Sequence, residues 1–151
     1  MIPISKISQL KLLEIVARIP LFKPFTVKER ELLLNSGAKC YKCIKGQKVQ
    51  TEGEHNANFY LILSGTIRIQ KSDSDKVLGV LKAGQFIGEG SFIERRPKSA
   101  SAIAEQDSVV LCMDEDILNG LPAAVKDKFK TAIIVGMAER ITYLNQQLAS
   151  L

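Results

Sequence analysis

Phe86-Ile87-Gly88-Glu89-Gly90-Ser91-Phe92-Ile93-Glu94-Arg95-Arg96-Pro97-Lys98-Ser99-Ala100-Ser101-Ala102 is the stretch on which the reading of this chain turns. It runs from a β-prone pair through a glycine turn into a short helical segment, then past a proline into a second β-prone run. Chemically it offers a cradle for a small anion. Backbone N–H groups at a helix start attract negative charge. A carboxylate fixed close by accepts from a hydroxyl, and a cation on the following strand neutralises a phosphate.

On either side of this stretch the chain keeps one rhythm. From Ala38 to Met113, short β-prone runs alternate with glycine and charged turns about every ten residues. The clearest strands are 59–63, 66–71, 77–81, 99–105 and 108–113, with Gly46, Gly53, Gly65, Gly79, Gly84 and Gly88 between or beside them. Ser72-Asp73-Ser74-Asp75 reads as a hairpin loop. Such spacing predicts a sandwich, roll or barrel.

Helices flank that β segment. Residues 5–18 read as a helix with Ser5 as cap and Ile7, Leu10, Leu13 and Ala17 on one face. Thr26-Val27-Lys28-Glu29 is a capping box opening a second helix that closes near Ser36-Gly37. Asp114 caps a short helix over 115–119, and Pro122 starts a long one reaching Ala149. That last helix carries Val125, Phe129, Ala132, Ile133, Met137, Ile141, Leu144 and Leu148 close to an a/d stripe, with Leu151 beyond its end. It also carries Ile134, Val135 and Tyr143 off the stripe. Two apolar aspects call for two partners, its own β-roll and a second copy of the same helix. The organisation expected is one domain over 1–151: helices over 1–37, a β-roll over 38–113 and helices over 114–151.

The totals fit this picture. With 46% hydrophobic and 25% charged residues in 151, the chain has the composition of a globular domain. A net charge of +5 suits an anionic ligand but is no nucleic-acid signature alone. Lys39, Lys42, Lys45 and Lys48 read as a solvated strand edge. Three cysteines form no framework, and Cys40 and Cys43, three apart on a strand, point to opposite faces. With His55 the only histidine, no metal site is expected. Neither a G-x-S-x-G nor a G-x-x-x-x-G-K-[ST] motif is present, so catalysis is not expected. Met1-Ile2-Pro3-Ile4 lacks the features of a secretory leader, and no apolar run is of spanning length. Reduced thiols and a cytoplasmic location are expected.

Three features in order carry a resemblance to a known family. They are Glu52-Gly53-Glu54 followed by Phe59-Tyr60-Leu61-Ile62-Leu63-Ser64-Gly65, then Ala83-Gly84-Gln85-Phe86-Ile87-Gly88-Glu89, then Pro97-Lys98-Ser99-Ala100-Ser101. Over about residues 21–150 the sequence resembles the cyclic-nucleotide-binding domain family, whose members include catabolite activator proteins and regulatory subunits of protein kinase A. The resemblance implies a mainly β fold with flanking helices: a double-stranded β-helix, or jelly-roll-like β-roll, with N-terminal helices and a long C-terminal helix. It also implies that Gly88 lets the backbone approach a sugar-phosphate and that Glu89 accepts from the ribose 2′-hydroxyl. Gly90 would belong to the same cassette, Ser91 and Ser99 would lie near the cyclic phosphate, Lys98 would bind it, and Asn145 would face the base.

Two positions depart from the family pattern. Lys98 stands where the family has arginine, exchanging a two-pronged fork for a flexible point charge. Gly90 stands where the family carries an aliphatic side chain. Arg95 and Arg96 lie on the other side of Pro97 and are not simple replacements.

Two readings follow. In one, the chain is a non-catalytic sensor that binds cyclic AMP or cyclic GMP, or another small anion, and signals through its last helix to a dimer mate or protein partner. In the other, the pocket has lapsed and the fold serves as a protein-interaction module. The transcription-regulator relatives continue into a helix-turn-helix, and with the sequence stopping at Leu151 no DNA-reading helix is expected.

Overall fold

The computed structural model of the chain describes residues 1–4 and 7–151. Strands β1 (Ile2–Pro3), β2 (Lys39–Cys43), β9 (Ser108–Met113), β4 (Phe59–Ser64) and β7 (Phe86–Ile87) form one antiparallel sheet in that order. Strands β3 (Lys48–Gln50), β8 (Ser101–Ala104), β5 (Thr66–Gln70) and β6 (Val77–Lys82) form the other. The helices are α1 (Gln9–Ala17), α2 (Val27–Leu34), α3 (Glu89–Glu94), α4 (Glu115–Asn119) and α5 (Ala123–Ala149), with a 3-10 turn at Pro20–Phe22. The expected β-roll with N-terminal helices and a long C-terminal helix is the fold.

The five-stranded sheet is buried on both faces, and this explains its sequence. Along β4, Phe59, Leu61 and Leu63 face the helices while Tyr60 and Ile62 face the interior of the roll. A strand covered on both sides reads as a continuous apolar run rather than an alternating one. The same division holds for Phe86 and Ile87 on β7, for Leu111 and Val110 on β9, and for Cys40 and Cys43 on β2. One core therefore lies between the two sheets, and the other lies between the five-stranded sheet and the helices.

Local signals place the helices. The Thr26–Glu29 capping box is formed in both directions, and the Asp114 side chain accepts from the Ile117 N–H at 2.9 Å. The expected start of the first helix needs correction. It begins at Gln9 with Ser8 as cap, and the Ser5 cap lies outside the described residues. Its inward face is Leu12, Ile15 and Val16, whereas Leu10 is 70% exposed and Ala17 is exposed too. Ile2 and Pro3 pair with β2, and the Ile4 N–H bonds the Cys40 carbonyl at 2.9 Å. The chain is thus held in the sheet before the helix begins, which sets its rotation.

The strand expected over 99–105 is shorter, Ser101–Ala104. Just upstream, the Lys98 N–H donates to the Glu54 carbonyl and the Gly53 N–H donates to the Lys98 carbonyl. The backbone at Lys98 is therefore paired with the loop after β3.

Candidate functional site

The site forms where β7 ends and α3 begins. Gly88 makes that junction with φ +86°, a conformation that a side chain disfavours. Its surroundings exclude one as well. A Cβ built there would meet the Asn58 carbonyl at 2.5 Å, Lys98 Nζ at 2.8 Å and Gln50 Oε1 at 3.3 Å. Three polar groups from three segments thus converge beneath one glycine.

Lys98 is only 3% exposed. Its ammonium donates to the Asn58 carbonyl at 2.5 Å and stands 6.0 Å from the centroid of the Tyr60 ring. Burial pulls it down to about 8, against the opposing pull of the Glu54, Cys112 and Glu89 charges. Burial also pushes the Tyr60 phenol up to about 12 and the Cys112 thiol up to about 11. Burial works against the charged form of this lysine, and an anion placed beside it works in favour of that form.

Glu89 is the first residue of α3, and its Oε1 lies 3.4 Å from Arg140 Nη1 on α5. The carboxylate that the cassette contributes is thus bridged to the long helix. Gly136, one turn earlier on α5, leaves no room for a Cβ against the Phe86 ring, and Phe129 stacks edge-on with Phe59 at 5.5 Å. Residues 129, 133, 136 and 140 lie on one stripe at helical spacing. That stripe docks α5 on the sheet and carries it past the cassette.

At Gly90, the second departure, the Arg96 guanidinium lies across the bare glycine, but that side chain is more than half exposed and can swing aside for a Cβ. Arg95 ends α3 with φ +53° and is ion-paired to Glu115 at 2.7 Å. Ser91 sits within α3, next to Gly90. Ser99 is exposed, and its carbonyl accepts from Lys71 Nζ at 2.6 Å. Lys71 also pairs with Glu52, whose carboxyl that contact holds down at about 2.

The structure therefore gathers Gly88, Glu89, Gly90 and Lys98 around one turn, with Ser91 next in α3 and Ser99 on its flank. It does not bring Asn145 to them. Asn145 is exposed on α5, and five residues beyond Arg140 it projects about 140° from the docking stripe. Sequence reasoning missed Arg140 and Gln50. A signal for Gln50 was present, since a glutamine beside Val49 on a strand entering the core is out of place unless bonded. Among the described residues, no group of histidine, cysteine and carboxylate side chains is arranged to hold a metal ion, and His55 is exposed in its loop.

The model of the cyclic nucleotide-binding domain matches residues 42–124. Over 85 residues the chain is 32% identical to a cAMP-dependent protein kinase regulatory subunit of Yarrowia lipolytica, covering 56% of this chain and 23% of that protein. Over 80 residues it is 29% identical to human cGMP-dependent protein kinase 2, covering 50% of this chain and 10% of that protein. The chain thus aligns with a quarter or less of the length of these curated relatives. A crystal structure of a cyclic nucleotide-binding domain from Methylobacillus flagellatus superposes with a TM-score of 0.78 at 27% identity, over 91% of this chain and 80% of the other.

Proposed function

The chain belongs to the cyclic nucleotide-binding domain family, and from that premise we propose that it is a non-catalytic sensor. It takes up cyclic AMP or cyclic GMP at Gly88, Glu89, Gly90, Ser91, Lys98 and Ser99 and reports binding through α5. One observation carries the reading: Glu89 and Lys98 flank the same glycine turn, and Glu89 is bonded to Arg140 of α5.

The residues fit a ligand that presents an anion beside a hydroxyl. Lys98 supplies the positive charge, Gly88 allows close approach, and the Glu89 carboxylate accepts from the hydroxyl. A hydroxyl at Glu89 shares or replaces the Arg140 contact, so the bound and free states differ at α5. A ligand shifts such an equilibrium only by its differential affinity for the two arrangements, and the Glu89–Arg140 pair supplies that difference.

For output, the distal half of α5 supports a self-association role. Ile134, Ile141, Tyr143, Leu144 and Leu148 are all exposed there. A shallow groove of about 400 Å³, lined by Val135, Ala138, Thr142 and Tyr143 among others, runs along a different side of the helix from Ile141, Leu144 and Leu148. Packing against a second copy of α5, or against a protein partner, would cover these groups, and the partnered unit operates in the cytoplasm. Among the described residues, no helix is long and apolar enough to cross a membrane.

The test is calorimetric titration with cyclic AMP and cyclic GMP beside a Glu89→Ala control. Saturable binding tighter than about 10 μM, corresponding to roughly 7 kcal/mol, and lost in the control, is the expected result. No heat and no thermal stabilisation at millimolar nucleotide would instead favour the protein-interaction module, which the committed Lys98–Asn58 contact and the Arg96-covered Gly90 also suit.

A further inference from the structure

The closing segment of the cassette, residues 98–100, lies outside the strand ladder, since β8 begins at Ser101. Main-chain groups that no ladder serves find partners elsewhere, and here all three carbonyls do. The Lys98 carbonyl accepts from the Gly53 N–H at 2.8 Å. The Ser99 carbonyl accepts from Lys71 Nζ at 2.6 Å, and the Ala100 carbonyl accepts from Gln50 Nε2 at 2.9 Å. A peptide unit is planar and trans, so fixing a carbonyl also fixes the N–H of the next residue. Three consecutive peptide planes are thus set by groups from outside the segment.

Lys71 differs from the other two holders. Gly53 acts through its main chain and Gln50 through a neutral amide, whereas Lys71 acts through a charge on a flexible stem. Glu52 sets where that charge aims. Glu52 Oε1 accepts from Lys71 Nζ at 2.9 Å, and Glu52 Oε2 accepts from the Ser72 N–H at 2.7 Å. The Glu52 N–H in turn donates to Ser101 Oγ at 3.0 Å. The hairpin between β5 and β6, the loop after β3 and the start of β8 therefore meet at one ion pair. Its side chains are 45% and 26% accessible, so the pair adds little to stability. What it holds is the peptide that directly follows Lys98 and Ser99.

We propose that Lys71 is a positioning residue for the cassette. By holding the Ser99 carbonyl it pre-sets the main chain on which Lys98 and Ser99 are presented to a phosphate. The inference rests on the cassette being a nucleotide site. Without the ammonium, the peptide between Ser99 and Ala100 regains its rotation, and an arriving ligand must order it. Ordering the main chain of one residue costs about tenfold in affinity.

The experiment is a calorimetric titration of cyclic AMP and cyclic GMP into four full-length proteins: wild type, Lys71→Met, Lys71→Arg and Lys76→Met. Lys76 is exposed on the same hairpin, so its variant removes an equal charge from the same neighbourhood. Melting without ligand is expected to be nearly the same for all four, and Lys71→Gln serves if Lys71→Met melts early. Lys71→Met is expected to weaken binding about tenfold, Lys71→Arg to restore it to within about threefold, and Lys76→Met to leave it unchanged. Hydrogen exchange of the free proteins reads the frame itself, and the N–H groups of residues 99–101 should exchange faster in Lys71→Met. Wild-type affinity in Lys71→Met, or an equal loss in Lys76→Met, overturns the proposal and leaves the nucleotide site standing. A wild-type protein that takes up neither nucleotide overturns the reading of the site, and this inference with it.

Discussion

Gly136 lies against the edge of the Phe86 ring so closely that a Cβ on the glycine would come within 2.7 Å of ring Cζ. Phe86 is two residues before Gly88, and Gly136 is four before Arg140. The long helix therefore touches the β-roll directly upstream of the cassette and again at its carboxylate.

That contact decides the effect of Gly136→Ala. In an exposed helix interior the change stabilises by about 1 kcal/mol. Here it overpacks a buried ring, which costs about 1–3 kcal/mol. The expected outcome of denaturant unfolding is net destabilisation by about 1 kcal/mol, relieved when Phe86→Leu is added. A more stable Gly136→Ala protein would show that α5 does not sit on Phe86 in solution.

Arg140→Ala separates coupling from stability. The Glu89–Arg140 pair is partly exposed, with side chains about a quarter accessible, and such pairs contribute less than about 1 kcal/mol. Thermal melting should therefore change little. Hydrogen exchange should nevertheless show that nucleotide no longer alters protection beyond residue 140, while binding itself persists. Unchanged nucleotide-dependent protection would remove Arg140 from the route.

Lys98 makes nucleotide binding depend on pH. In the free protein its ammonium is held near 8, below its ordinary value of 10.5, and a bound phosphate favours the charged form. Binding near pH 8 should then take up about half a proton, and above that the dissociation constant should rise toward tenfold per unit. The groups facing the ammonium do not blur this window. Cys112 and Tyr60 are pushed to about 11 and about 12, well above it. Calorimetry in buffers of different ionisation enthalpy measures the uptake. Lys98→Arg should be flat over the same range, and a flat wild type would mean that Lys98 does not meet the phosphate.

The free protein should show the same group in reverse. A lysine whose folded value lies below its unfolded one is a burden at neutral pH, relieved as pH climbs from about 8 to about 10.5. Wild type should therefore gain stability relative to Lys98→Met across that interval, measured by urea unfolding.

Self-association through α5 is tested by Ile141→Glu with Leu148→Glu. Both side chains are more than half exposed, so the monomer fold should tolerate the charges. Light scattering should give a dimer for wild type and a monomer for the pair. A wild-type monomer at high concentration removes α5 as a self-association surface.

The sequence was most legible where local chemistry determines structure. The Thr26–Glu29 box, the Asp114 cap, the Pro122 start of α5 and the run at Phe59–Leu63 all took the expected form. The first helix was misread because Leu10, Leu13 and Ala17 make a credible stripe, while its rotation is set by pairing at residues 2–4, far from the helix in pattern terms. At the site, the motif pointed to Gly88, Glu89 and Lys98, which the structure places around one turn. Arg140 was hidden because an arginine on an exposed-looking helix has no periodic signature, and Gln50 was passed over although its place beside Val49 carried a signal, since only a register slip turns it inward. Asn145 lies exposed and away from that turn, as a position matched in order along the chain is not thereby matched in rotation about a helix.

The five-stranded sheet, lined on one side by Phe59, Leu61 and Phe86 and on the other by Tyr60, Ile62 and Ile87, works as a bulkhead. Whatever α5 does on one side leaves the sealed compartment on the other side dry. A packing change confined to the helix layer is then screened from the interior of the roll by one sheet thickness of side chains.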